Sequence, residues 1–441
     1  MDQIVPVMYR DYGLYINSFR MFPLEIDGLR PVERRVLLSA FQVARERFVK
    51  SAKIDGHTIA NFHPHGSCYG TIVQMVLNNH LDGQGAWKCK WGVKPAEAAA
   101  MRYTECKLAR KTLDLAFQLI DYVPWVEAEA DKYSKEPAFL PTMFPMCLLN
   151  EEPVQGIGFG YRTHIPCYRV EDLHKRLLFL LKITKEKPII KPVTDCKIIS
   201  SDSVLENLLT TGKGSIEVQG IIRKESSHHK VVLKSWPPGR SFEALLGKFK
   251  SELENQDIGF IDESSKANGG THIVFEVLKQ RNRDEIYEKF LKKLEEAIKG
   301  NMSFETIVVD RNLNVRNWSI DEFILSSYNM YTELNKKMLA SEISKLQGLK
   351  DEYKLLEKIR PHLGKHLREK EIIIDQVVKA LSEEVKEDEK TIKELFSKYR
   401  ITKLLSLKID IDAIDKEQAE LHNNLTNLQP FILKQYVGVV K

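Results

Sequence analysis

Leu339, Ile343, Leu346, Leu349, Tyr353, Leu356 and Ile359 recur at steps of 4, 3, 3, 4, 3 and 3. On a helix, that spacing lays one narrow apolar seam along a single face. The residues between them are largely charged, so burial must come from another helix laid on the seam. Leu421, Leu425, Leu428 and Ile432, at steps of 4, 3 and 4, supply the returning mate. Between the two, residues 361–415 read as shorter helices and include the apolar stretch Leu404-Leu405-Ser406-Leu407-Lys408-Ile409. The expectation is a long antiparallel coiled coil, one arm over 319–360 and its return over 416–441. Residues 361–415 would form a small dimerisation knob at its tip.

The rest of the chain cannot be helical throughout. From Lys191 onward, Thr211 to Gly220, Lys230 to Ser235 and Thr271 to Leu278 alternate apolar and polar positions, as half-buried strands do. Gly212-Lys213-Gly214 lacks the Gly-x4-Gly-Lys-Ser/Thr spacing of a phosphate loop and reads as a β-turn. Near the start, residues 9–27 read as a helix ending before Pro23, with Arg20 close to its end. Gly28 then opens a new element, with Pro31 in its first turn. Val32, Val36, Leu37 and Ala40 share one face of it, and Arg30, Arg34 and Arg35 fall on the remaining surface. A chain of 441 residues with 43% apolar content has material for roughly two to four domains. The fold class is therefore α+β multidomain.

The longest apolar run, Leu177 to Leu181, is far too short to span a bilayer, and no charged-then-apolar leader opens the sequence. Six scattered cysteines without a Cys-x-x-Cys pair argue for reduced thiols rather than a zinc site or a disulfide framework. The net charge of +5 is modest, so a nucleic-acid surface must come from local segregation. Such segregation is present. Residues 28–53 hold seven Lys or Arg against two acids, and residues 86–111, which include Lys88, hold seven against two.

In the second basic stretch, small residues Ala98-Ala99-Ala100-Met101 deliver Arg102-Tyr103. A phenol is a poor nucleophile at neutral pH, but adjacent cations favour the phenolate and its attack on phosphorus. Upstream, His63-Pro64-His65-Gly66 holds two histidines in an extended or turn geometry, because the residue before proline avoids the helical region. No third ligand lies at metal spacing, which favours phosphate contact and proton transfer. The following helix, over 67–79, turns Ile72, Val73, Val76 and Leu77 inward.

Taken together, these segments resemble, in order, the type IIA DNA topoisomerases, in particular the A subunits of gyrase and topoisomerase IV and the compact phage medium subunit. The matching segments are Arg20, Gly28-Leu29-Arg30-Pro31-Val32-Glu33-Arg34-Arg35, Phe62-His63-Pro64-His65-Gly66, Asp82-Gly83-Gln84-Gly85, and Ala98 to Glu105. Pro141-Thr142, Gly156-Ile157-Gly158-Phe159-Gly160, Thr211-Gly212-Lys213-Gly214-Ser215 and Ile261 to Glu276 continue the match. The chain departs from the family wording with Arg30 for lysine, Glu33 for histidine, Phe62 for tyrosine and Ala86-Trp87-Lys88 for Asn-Phe-Gly.

The resemblance implies an N-terminal helix (1–27), a winged-helix DNA-binding breakage-reunion domain (28–175), a mixed α/β tower domain (176–318), the two arms, and a dimer gate over 361–415. It implies Tyr103 as the residue linked to the 5′ phosphate, with Arg102, Arg20 and His65 assisting. Arg30, Arg34, Arg35, His63 and Lys88 would contact DNA, and Ile157 would wedge between base steps. It further implies a homodimer acting on double-stranded DNA with a B-type subunit that brings ATP and Mg2+, in the cytoplasm of a bacterial or phage-infected cell, and no metal on this chain. Only Lys434 to Lys441 follows the returning helix, too little for a DNA-wrapping domain. The expectation is therefore relaxation and decatenation without introduction of negative supercoils. The rival reading, a non-catalytic winged-helix and coiled-coil protein that bridges DNA, explains the charge and the seam. It gives no reason for Ala-Met-Arg-Tyr to follow the histidine loop.

Overall fold

A computed structural model of the chain describes residues 4–89, 91–225, 229–279, 281–366, 374–399 and 401–440. These form two units, one comprising residues 1–331 with 436–441 and the other residues 332–435.

The larger unit begins with helix α1 (Ile4–Ile16), which continues into a π-helical turn, Asn17–Met21, and stops at Phe22, before Pro23 as expected. Helix α2 (Pro31–Val43) takes Pro31 in its first turn, and Glu33 Oε2 accepts from the Arg30 N–H at 2.8 Å. That bond satisfies a backbone donor that the helix start would otherwise leave open. Strand β1 (Val49–Lys50), helices α3 (Ser51–Asn61) and α4 (Tyr69–Leu77), and strands β2 (Leu81–Gln84) and β3 (Glu105–Leu108) follow. The strands make an antiparallel sheet in the order β1-β3-β2, with Val49 opposite Cys106 and Leu81 opposite Leu108. Val36, Leu37, Ile54, Ile72, Cys106 and Leu108 are buried where the helices meet this sheet. Met75 is buried more deeply than the expected Val76 and Leu77.

Helix α5 (Arg110–Ala116), a hairpin of β4 (Trp125–Glu127) and β5 (Lys135–Pro137), a second hairpin of β6 (Val154–Ile157) and β7 (Arg162–Ile165), and helix α6 (Val170–Leu180) come next. Then follow β8 (Lys197–Ile198), α7 (Asp202–Thr211), β9 (Lys213–Gln219), β10 (Ile222–Glu225), β11 (Lys230–Leu233), α8 (Phe242–Leu246) and α9 (Lys250–Glu254). The body closes with β12 (Ile258–Asp262), β13 (Ile273–Val277), α10 (Arg283–Ala297), β14 (Lys299–Glu305), β15 (Ile307–Val309) and β16 (Val315–Asn317). One sheet, β10-β11-β13-β12, packs Val231, Ile273 and Phe275 against Phe290 and Leu294 of α10.

The other large sheet, β6-β7-β14-β9-β8, draws strands from both sides of residue 175, so the expected boundary there falls inside one sheet. Gly212 is not part of a β-turn. It ends α7 in the left-handed region at φ +69°, and a Cβ there would lie 1.7 Å from the Trp318 carbonyl oxygen. No residue other than glycine fits.

Helix α11 (Ile320–His366) leaves this unit and enters the smaller one, running through Pro361 and past the expected end at 360. After it come α12 (Ile374–Val385), α13 (Glu389–Lys398), α14 (Ile401–Ser406), α15 (Ile411–Thr426) and α16 (Leu428–Val440). The predicted seam faces inward, with Leu339, Leu356 and Ile359 buried and Ile343, Leu346, Leu349 and Tyr353 half-buried. Gln435 donates to Asn335 Oδ1 at 3.0 Å, Gln418 donates to Gln347 Oε1 at 3.2 Å, and Lys350 pairs with Asp415. Partner numbers rise on one helix as they fall on the other, so the pair is antiparallel. The return is not one helix, however, because it breaks at Asn427. Nor does the apolar stretch 404–409 stand free. Leu404 is fully buried with Leu356, Ile359, Leu363, Leu381 and Ile392, and Leu407 and Ile409 pack on that cluster, leaving Leu405 exposed. Among the described residues, no helix is long and apolar enough to cross a membrane.

Within the larger unit Arg176, on α6, is 1% exposed and uses all five of its N–H donors. Nε and one terminal nitrogen reach the two Asp321 oxygens at 2.8 and 2.7 Å. Glu206 accepts two more bonds at 3.0 Å and the Pro188 carbonyl one at 3.1 Å. Removing the guanidinium strands two carboxylates in a partly dehydrated site. Arg176→Ala should lower unfolding stability by about 3–5 kcal/mol. Arg176→Lys should recover little of it, since an ammonium cannot span both acids. Urea denaturation followed by circular dichroism reads the difference.

Candidate functional site

Tyr103 owes its position to its buried neighbour. Thr104 is fully buried, its Oγ1 lies 2.8 Å from Ser51 Oγ and 3.0 Å from the Tyr69 hydroxyl, and its carbonyl accepts the Ser51 N–H at 3.0 Å. With Thr104 held at the head of β3, the chain before it forms a turn in which the Tyr103 N–H donates to Ala100 O at 2.8 Å. Tyr103 therefore projects outward, 63% exposed, and the Arg102 guanidinium lies over its ring at 4.6 Å. Gly85, at φ +112°, lets the incoming strand pass the Tyr103 carbonyl, which a Cβ there would approach to 3.1 Å.

The 85–104 connection also carries Lys88, 3.8 Å from Glu97. Backbone bonds from Ala99 to Ala86 and from Cys89 to Ala96 zip it together. At its far end the Val93 N–H donates to Asp262 Oδ2 at 2.8 Å, so the β12 edge steadies the loop.

The histidines sit in a second cluster. Phe62 is buried with Leu38 and Ala128, and the N–H groups of Phe62 and His63 both bond Thr58 O, which ends α3 and turns the chain. Asp55 accepts the Cys68 N–H at 2.7 Å and closes the loop from the other side. Arg35 is gripped by Glu136 in a two-pronged pair at 2.8 and 2.9 Å, and donates to Glu129 at 3.0 Å. Its remaining contact is His63 Nδ1 at 3.3 Å. Because Arg35 can only donate, His63 Nδ1 must accept, and the imidazole is neutral. Burial first, and then the positive Arg35, push its pKa down to about 4.

His65 Nε2 lies 3.1 Å from Glu129 Oε1, which also accepts the Tyr15 hydroxyl at 2.5 Å. Those bonds are satisfied with the His65 proton on Nε2, leaving Nδ1 without a hydrogen bond among the described residues. Partial burial alone would raise the Glu129 pKa, but bonds from Tyr15 and Arg35 hold it below the ordinary value. Burial and the bond to Glu129 raise that of Tyr15. Arg20, in the π-turn, is within electrostatic reach of both Tyr15 and His63.

Four of the predicted residues, Arg20, Arg35, His63 and His65, thus converge. Tyr15, Glu129 and Glu136 belong to the same cluster and escaped the sequence reading, since nothing sets Glu129 apart from Glu127 or Asp131 along the chain. Arg30, Arg34 and Arg35 all depart from the expected surface position, Arg35 most of all at 7% exposed. Arg34 is tied to the fully buried Asp27 at 2.7 Å, and Arg30 folds back on Glu33 at 2.9 Å. Asp27 also accepts the N–H groups of Leu29 and Leu140, so Arg34 neutralises a carboxylate that the fold needs. Ile157, at the β6–β7 turn, is 77% exposed and so is no core residue. Among the described residues, no three His, Cys, Asp or Glu side chains gather as a metal ion would require.

The exposed Arg-Tyr turn and the histidine-arginine cluster both belong to the mixed α+β body. The family model for the A subunits of DNA gyrase/topoisomerase IV matches residues 20–437, and the chain belongs to that family. It is 29% identical to the DNA topoisomerase 4 A subunit of Pseudomonas aeruginosa over 64% of this chain and 39% of that protein. It is 27% identical to the topoisomerase subunit TopoM of Mycolicibacterium smegmatis over 94% of this chain and 61% of that protein. With the DNA gyrase A subunit of Clostridium acetobutylicum it shares 28% identity over 67% of this chain and 38% of the relative. The chain therefore spans less than two thirds of the length of these relatives.

The environment of His63 has a direct consequence. Its ring should titrate with a midpoint near 4, below the ordinary value, and remain neutral at pH 6. A folded-state pKa below the unfolded one means this stabilising term is complete above about 6.5 and is lost as pH falls toward 4. Histidine C2-proton shifts followed against pH should show that midpoint. Arg35→Gln should move it upward.

Proposed function

We propose that this chain is the DNA cleavage and religation subunit of an ATP-dependent type IIA topoisomerase, making a transient double-strand break through which a second duplex passes. The observation that carries the reading is the outward Arg102-Tyr103 turn anchored by buried Thr104, inside the segment matched by the family model. In this reading α2, β1, α3, α4, β2 and β3 form a winged helix, with α4 as the recognition-type helix and residues 85–104 as the wing. The two larger sheets make the tower, and the paired helices end in a dimer gate.

Chemically, Tyr103 Oη attacks a backbone phosphorus. The new Tyr O–P bond forms as the P–O3′ bond breaks, leaving a 5′-phosphotyrosyl link and a free 3′ hydroxyl. The bond count is conserved, so the reverse attack reseals the strand without external energy. The phenolic proton goes to a base, for which His65, through its open Nδ1, is the candidate, and the departing O3′ takes a proton from water to become the hydroxyl. Arg102 and Arg20 stabilise the negative charge on the equatorial oxygens. His63, neutral, offers Nε2–H as a donor to phosphate without adding charge. Exposed Ile157 would enter a base step, at a cost of a few kcal/mol in unstacking that is recovered as the bent duplex touches more protein. By resemblance to the family, Mg2+ and ATP are assigned to a B-type partner, and no step above is routed through them.

Denaturant-trapped cleavage of a plasmid, with and without a B-type subunit, tests the proposal. Tyr103→Phe should bind duplex as the unaltered chain does and yield no protein-linked DNA. Covalent adducts persisting in that variant would refute the assignment. Arg20→Ala should slow cleavage and religation alike with affinity little changed, whereas loss of binding alone would make Arg20 a phosphate anchor.

A further inference from the structure

Asn17 opens the π-turn and is 3% exposed. Its amide makes both of its bonds to one residue of the turn that carries Ile157. The Phe159 N–H donates to Asn17 Oδ1 at 2.8 Å, and Asn17 Nδ2 donates to Phe159 O at 2.9 Å. A neighbouring strand would ordinarily satisfy those two backbone groups, and here a single side chain does so. The fit is tight. A Cβ at Gly158 would stand 2.2 Å from Asn17 Oδ1 and 2.8 Å from the Phe22 ring, and one at Gly156 would stand 3.0 Å from Met21 O. Tyr9 and Tyr12 meet the Phe159 ring edge-on at 5.4 and 5.9 Å. The backbone on both sides of Ile157 is therefore gripped by α1 and the π-turn, while the Ile157 side chain is left in solvent.

The same short segment reaches the other cluster. Arg20 is three residues beyond Asn17 in the π-turn, and Tyr15, two residues before it, bonds Glu129 beside His65. A π-turn holds an extra residue relative to α geometry and is a recurrent feature of functional sites.

We propose that Asn17 is a positioning residue that couples insertion of Ile157 into a duplex to the placement of Arg20 and the Tyr15-Glu129-His65 cluster. The inference rests on reading Ile157 as the wedge and Tyr103 as the nucleophile. Force on the hairpin passes through two backbone bonds into the Asn17 amide, and from there along the π-turn to the cation. Because the amide grips backbone, the coupling requires no particular side chain at position 159.

The experiment uses the full chain, its B-type partner and a duplex carrying donor and acceptor fluorophores. Bend is read by energy transfer and cleavage by denaturant trapping. Asn17→Ala should keep duplex affinity, reduce the bend and slow cleavage by about tenfold, the scale of one hydrogen bond. Ile157→Ala combined with Asn17→Ala should cleave no more slowly than Ile157→Ala alone, since both act on one coupled step. If the two effects multiply, the amide acts independently of the wedge and the coupling is wrong. Should the alanine variant fail to fold, Asn17→Asp replaces it in the same cycle, keeping the acceptor for Phe159 N–H and losing the donor. An unchanged bend in Ile157→Ala would defeat the wedge reading itself. A reduced bend there, with Asn17 variants that bend and cleave as the unaltered chain does, would defeat only the coupling.

Discussion

A guanidinium can leave water only where every one of its N–H groups finds an acceptor, and Arg176 meets that condition with Asp321, Glu206 and Pro188. These partners come from the start of α11, from α7 and from the loop after α6, so one side chain holds three segments in register. The base of the long helix is set by that requirement. A misplaced α11 would take Asp321 from Arg176 and leave two of its buried N–H groups without an acceptor.

The same principle recurs wherever the body presents something to solvent. Asp27, fully buried, takes two backbone N–H groups and Arg34, and thereby ties the start of α2 to the 140s segment. Thr104 joins Ser51 and Tyr69 and so aims Tyr103 outward. Asn17 takes both polar groups of Phe159 and so leaves Ile157 exposed. Each of these buried polar groups fixes a short piece of backbone, and beside Thr104 and Asn17 the side chains of Tyr103 and Ile157 stay exposed. These polar anchors add local rigidity to that of the apolar core.

Carboxylates in the cationic cluster follow from the same balance. Arg35 and Arg20, beside the neutral His63, would be an unpaired concentration of positive charge without the neighbouring acids. Glu136 and Glu129 neutralise it, and Glu129 also orients His65. The cluster is thus balanced by its own carboxylates.

Local pattern made much of the fold and part of the site legible. The seam from Leu339 to Ile359 depends only on helical spacing, and the alternating strands over 211–278 only on period two, so both are found where expected. Pro23 and Pro31 mark a helix end and a helix start for local steric reasons. The wording around Tyr103 and the two histidines marked them as chemistry without any knowledge of their neighbours. What spacing could not express is which charges meet. Arg34 and Arg35 are adjacent, yet one serves Asp27 and the other joins Glu136, Glu129 and His63, because α2 turns them toward different segments. Tyr15 and Glu129 lie far apart in the chain and share one hydrogen bond. Gly212 became a helix stop because Trp318 packs on it, and the apolar stretch 404–409 turned inward because α11 and α12 offered it a core. The sequence alone determined the repeating elements and the candidate nucleophile, since periodicity and residue type act locally. The tertiary structure decided the partners of buried charges such as Arg35 and Arg176, since their desolvation is resolved only when distant segments close over them.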